Sequence, residues 1–256
     1  MFGDGETTDI SGIDSVEVEL THEGFYNCVC SEGHKFRVHL QEELFQMLFE
    51  LATVAIADGY YREAVTSYTA ALERFQEYAL RVFCVANAVI GQQFEDAWKL
   101  VGSQSERQFG AYAFMHVAAL HEPPPVLRQK LVEFRNQVVH KGHIPSAEKA
   151  LEYGEAVRAI LNTSLDKLRL SFEQEMDAVL HMRQAPNVFG QPPDLVQSWQ
   201  HRPTIVTMVP TSHDGAPAVL MQNPRTLTDI VAAIKEARQR KADERCFAMN
   251  RPNSGV

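Results

Sequence analysis

One short stretch carries the side-chain types that phosphoryl chemistry requires. In "EFRNQVVHKGHIPSAEKA" (133–150), Arg135 and Asn136 precede a Val-Val pair and His140 follows it. His140 titrates near neutrality and can take or give a proton at physiological pH. Arg135 stays charged and presents a planar fork that matches two phosphate oxygens. Asn136 can orient the imidazole or bind substrate. Two such sets facing each other would supply a base, an acid and a charge clamp for attack of an RNA 2′-hydroxyl on its neighbouring phosphate. The products would be a 2′,3′-cyclic phosphate and a 5′-hydroxyl, with no metal or other cofactor needed. Arg128, Lys130, Lys141 and His143 lie close by and would bind the RNA through its phosphates. The same residues also have a plainer reading. Cations are common in a helix's last turn, where they offset the dipole, and Gly142 is an ordinary helix stop.

On a helical wheel of about 100° per residue, Leu127, Leu131, Phe134 and Val138 form one core seam. Arg135 sits at its edge, and Asn136 and His140, four apart, share the far side. Val132 and Val139 fall between them as a second apolar strip. A helix with two apolar strips packs its own bundle with one and a second surface with the other. In a homodimer about a twofold axis, Val132 and Val139 would meet their copies and bring two Arg/His sets into one cleft.

"CVCSEGH" places Cys28, Cys30 and His34 on a hairpin, with His39 nearby. Two small thiols on a hairpin is the simpler reading; a zinc site from these four residues is the alternative, with a tighter Cys spacing than a usual knuckle. Ser212, His213 and Asp214 are contiguous, and catalytic triads converge from separate elements instead.

The elements that must position these residues follow from periodicity. "SVEVEL" (15–20), "GFYNCVC" and "HKFRVHL" alternate as strands and predict a β-hairpin or three-stranded meander over about 13–40. Helical stripes then predict helices over 41–57, 60–84, 93–101, 105–120, 125–141 and 146–183. The last has Val157, Leu161, Leu165, Leu168, Phe172, Met176 and Val179 as its seam. "APNVFGQPPD" reads as a linker, "TIVTMV" (204–209) as a strand, and "TLTDIVAAIKEARQRKADER" (226–245) as an amphipathic helix. The expected organisation is an N-terminal β region (1–40), an antiparallel helical bundle (41–183), and a linker with a small C-terminal α/β extension (184–256).

The 256 residues are 45% apolar, enough for a sizeable core. Net charge is −9, and the first sixty residues hold most of it, with Lys35 and Arg37 as their only Lys/Arg. The rest of the chain is close to neutral, so the total does not exclude a polyanionic partner. Four cysteines are too few for a disulfide scaffold, and no apolar run reaches the roughly 18 residues of a membrane span. The expectation is a soluble, cytoplasmic protein with reduced thiols and no membrane partner.

The run "RNQVVH" resembles the signature of the HEPN superfamily: Arg, a polar residue, then His after four to six residues. The helix "YYREAVTSYTAALERF" (60–75) before it and the long helix after it match that family's context, and the likeness covers about residues 41–183. The resemblance implies an all-α bundle, a dimer, and metal-independent ribonuclease activity with Arg135 and His140 catalytic and Asn136 supportive. It also implies a setting in toxin–antitoxin, antiviral defence or RNA-processing systems, which leaves room for a regulatory protein partner. In one toxin branch a modified Tyr stands two residues after the His; here that position is Gly142. Some members act only as nucleotide- or protein-binding modules, the alternative function for this chain.

Overall fold

Each apolar stripe of the 41–183 stretch becomes a helix. The computed structural model describes residues 18–21, 23–188, 191–192, 195–201, 204–208 and 225–249, with the backbone alone for 186–188 and 244–249. Among them run the helices α1 (Leu44–Ala57), α2 (Tyr61–Ala86), α3 (Gln92–Val101), α4 (Ser105–Leu120), α5 (Gln129–Lys141), α6 (Ala147–Val188) and α7 (Leu227–Met249), and the strands β1 (Phe25–Val29), β2 (Lys35–Leu40) and β3 (Val196–Gln200). The architecture is mainly helical with one small sheet. No helix among the described residues is long and apolar enough to cross a membrane.

The chain divides into two compact units. The larger holds Glu43–Leu180 and Pro203–Val256. Within it α1, α4 and α5 pack on α2, α3 packs on α4, and α7 packs on α1. Helix α2 can serve so many partners because it buries residues around much of its surface: Ala64, Val65, Tyr68, Ala71, Phe75, Ala79, Val82 and Phe83. Phe45 meets Phe75 edge-on at 5.4 Å, and Phe49 meets Tyr68 at 4.7 Å. Two buried tyrosines have their hydroxyls bonded inside the bundle. Tyr68 Oη pairs with Thr53 Oγ1 at 3.0 Å, and Tyr153 Oη with Thr69 Oγ1 at 2.9 Å. Helix α6 departs from helical geometry at Phe172, whose ring turns edge-on to Phe83 at 5.6 Å.

The strand expected at 204–209 is absent from 204–208; residue 209 lies outside the described residues. Ile205 and Val206 are buried, but side chains of α1 satisfy the backbone here in place of a strand partner. Gln46 Nε2 donates to the Val206 carbonyl at 2.8 Å and to Thr204 Oγ1 at 3.0 Å, and Glu50 accepts the Ile205 N–H. Helix α7 enters the bundle at its first two turns, where Leu227, Ile230 and Val231 are buried. Arg158 donates to the Arg225 carbonyl at 2.7 Å, and Glu155 accepts the Leu227 N–H.

The smaller unit holds Met1–Glu42 and His181–Arg202. Its strands lie in the order β1-β2-β3, β1 antiparallel and β3 parallel to β2. A tight turn closes the hairpin: Gly33 has φ +82° and donates to the Cys30 carbonyl at 2.9 Å. The meander expected from 13–40 is thus a hairpin whose third strand comes from 196–200. Of the expected strand at 15–20, residues 15–17 lie outside the described residues, and Val18–Leu20 form no strand. In the same unit Arg183 donates to the carbonyls of Leu40 and Glu42, and His201 Nδ1 lies 2.9 Å from the buried Glu42 carboxylate.

Candidate functional site

Helix α5 starts at Gln129, four residues later than the sequence suggests; residues 123–128 form no helix, and Arg128 before it is extended. Leu127 therefore packs from the loop, while Leu131 and Phe134 pack from the helix. Val138 is fully buried and anchors α5 to the bundle. Phe134 lies 6.0 Å from the Tyr153 ring and 6.4 Å, edge-on, from the His143 ring. The helix ends at Gly142, whose φ of +72° is the left-handed conformation that glycine adopts without cost, and His143 N–H donates to the Gln137 carbonyl at 3.1 Å.

Around this helix the candidate residues divide by burial. Arg135, Val139, Val132 and Asn136 are half-buried, and His140 is exposed. On the wheel they follow one another in that order over an arc of about 140°. Arg135 and His140 therefore stand on either side of the valine strip and form no pair within one chain. The valines keep partial exposure; the chain's own packing covers the rest. Arg128, Lys130, Lys141 and His143 are exposed. Lys130 and Lys141 project roughly 80–100° beyond His140, away from Arg135.

Arg135 has a specific environment that the sequence does not reveal. Its Nε is buried and has no hydrogen-bond partner among the described residues. Its charge reaches the Tyr153 phenol, as does that of Glu73 on α2. Burial pushes the Tyr153 hydroxyl above its usual range, against the opposing effects of the Thr69 hydrogen bond and the Arg135 charge. Tyr153 and Glu73 were not singled out in the sequence; the small spacing between Arg135 and α6 is a tertiary fact with no local signal. His140 lies in the last turn of α5.

The hairpin cysteines and histidines are not gathered around a point. Strand alternation turns Cys28 to one face of the sheet and His39 to the other. Cys28 Sγ approaches the Tyr26 carbonyl, and Cys30 Sγ lies 3.6 Å from His34 Nδ1. Among the described residues no group of three or more His, Cys, Asp or Glu is placed to hold a metal ion. Ser212, His213 and Asp214 lie outside the described residues.

No family model matches the chain, and neither a curated protein nor a solved structure matches it.

Proposed function

We propose that this chain is a metal-independent endoribonuclease of the HEPN type that acts as a homodimer on RNA. Arg135, Asn136 and His140 of both copies would line one cleft. One imidazole takes the 2′-hydroxyl proton and the other protonates the 5′ leaving oxygen, while the guanidinium holds the phosphate. A cytoplasmic role in a toxin–antitoxin or antiviral defence system, under control of a protein partner, belongs to the same reading.

The observation that carries it is the state of Arg135. The residue is half-buried and its Nε is buried without a hydrogen-bond partner among the described residues, five residues before an exposed His140. A buried donor left unmatched costs about 1–3 kcal/mol, a cost that an incoming phosphate oxygen would relieve.

Total RNA incubated with EDTA tests the proposal. Wild type is expected to leave 2′,3′-cyclic phosphate ends. Arg135→Ala and His140→Ala are each expected to slow cutting by about 10²–10⁴-fold with the far-UV circular dichroism unchanged. Undiminished cleavage by the folded double variant would overturn the assignment. Intact RNA with wild type would leave α5 as a helix for binding or dimerisation.

A further inference from the structure

Helix α4 carries no Asp, Glu, Lys or Arg from Phe109 to Leu120. Its inner side is marked by the buried Gln108, Tyr112 and His116. On the wheel, Arg107, Gly110, Phe114, Val117, Ala118 and His121 fall within an arc of about 100° on the opposite side. Phe114 is 82% exposed and Val117 45% exposed; Arg107, Ala118 and His121 are exposed as well. A surface helix ordinarily turns polar residues outward. This one turns out an apolar face with a large ring at its centre.

Gly110 cuts a notch into that face. Glycine is disfavoured inside a helix, so its presence needs a reason. The chain's own packing supplies none. Gly110 is not in the left-handed conformation, and among the described residues a Cβ there would meet nothing within 4 Å. Gly154 of α6 is the opposite case, since Tyr68 occupies the space its Cβ would need. One turn beyond the notch, on the same side, stands the exposed Phe114. A notch and a knob one turn apart on one helix are complementary to the same helix run in reverse.

Charge and area agree with that partner. An antiparallel crossing carries each Arg107 toward the C-terminal end of the other α4, where Glu122 and the last helical carbonyls lie. Arg107 is exposed and bonds to nothing among the described residues. Glu122 is bonded to Lys167, and its two oxygens leave room for a second cation. A stable dimer buries about 800 Å² on each partner, well beyond what the two half-buried valines of α5 can offer. The α4 face adds apolar area of the kind that marks protein contacts.

We propose that this face of α4 docks a second copy of the chain across a twofold axis, with Phe114 of each copy seated on Gly110 of the other. A different protein would need its own knob and notch at the same spacing in reverse; a second copy has both by symmetry. Helices α4 and α5 belong to the larger unit and both pack on α2. In the dimer, the α4 face and the valine strip of α5 share one axis. The proposal rests on the homodimer of the RNA-cutting reading and names the surface that holds it together.

Sedimentation equilibrium of the full chain tests the contact. Wild type is expected to be a dimer. Phe114→Asp puts a charge where the ring must be buried, and should raise the dissociation constant at least about tenfold. Its far-UV circular dichroism should be unchanged, because the ring makes little contact within its own chain. Gly110→Leu fills the notch from a position with free space around it, and should weaken the dimer by a similar factor of at least about ten. It keeps the test open if Phe114→Asp fails to fold. A wild type that stays monomeric overturns the assignment and gives the face to a different protein. Unchanged association by either folded variant overturns it as well. A Phe114→Asp dimer that cuts RNA at the wild-type rate sinks this face alone. RNA left intact by a wild-type dimer that Phe114→Asp dissociates sinks the nuclease reading and leaves this face standing.

Discussion

Gly154 lies inside α6, where glycine costs about 1 kcal/mol relative to alanine in an exposed helix interior. A Cβ at this position would lie 2.6 Å from Tyr68 Cε2 and 2.9 Å from Leu227 Cδ1. Tyr68 is fully buried and tethered to Thr53, so its ring has no room to retreat. Forcing a methyl into a packed core costs about 1–3 kcal/mol, which exceeds the propensity gain. Gly154→Ala is therefore expected to lower stability by about 1 kcal/mol in urea unfolding. A higher midpoint would mean that Tyr68 and Leu227 yield freely. The sequence alone argues the opposite sign, since it displays a glycine in a helical stripe and hides its neighbours. Arg135 carries the same lesson. Its position at the edge of the core seam is legible from the wheel, but its buried Nε depends on how closely α6 and Tyr153 approach.

At the scale of elements, the helices were legible because each repeats apolar residues at three and four, a pattern a helix alone can bury on one side. Strand β3 was not. "VQSWQ" has little apolar alternation, and it is ordered by Trp199 stacking on His39, which lies far away in the chain. "TIVTMV" misled in the opposite sense, because Ile205 and Val206 are buried in a coil bonded to α1. Helix α7 was legible as an amphipathic stripe, and the structure adds a cap at its start. Thr226 Oγ1 accepts the Asp229 N–H at 3.2 Å, and Asp229 Oδ2 accepts from the Thr226 N–H and hydroxyl at 3.1 and 2.7 Å. Those bonds hold the Asp229 carboxyl below its usual range. A depressed folded pKa means the cap contributes above the ordinary carboxylate value and is lost as pH falls through the folded one. Protection of the first-turn amides of α7, taken against their intrinsic exchange rates at each pH, should therefore fall on acidification below about pH 4. Thr226→Ala should show weak protection already at neutral pH and little further change in acid. A wild-type profile flat in acid would show that the cap does not hold this helix end.

At the scale of the whole molecule, the nuclease proposal needs two copies, because Arg135 and His140 flank a valine strip and do not pair within one chain. Val139 is the sharpest probe of that strip. Its neighbour Val138 is fully buried and carries the core contact, whereas Val139 is half-buried and turned toward the Arg135–His140 arc. Val139→Asp should leave the bundle folded, with a thermal midpoint close to wild type. Across a twofold axis the new charge would appear twice and face its own copy, so the penalty on association is doubled. Sedimentation equilibrium should show a wild-type dimer and, for Val139→Asp, a dissociation constant raised by at least about tenfold, or several kcal/mol if the two charges are close and desolvated. Cutting should fall with the dimer fraction and recover as protein concentration rises, because mass action restores the shared cleft. A Val139→Asp monomer that cuts at the wild-type rate would remove the need for a second chain. The imidazole that protonates the leaving oxygen would then have to come from the same chain, with the exposed His143 beside Phe134 as the first residue to test.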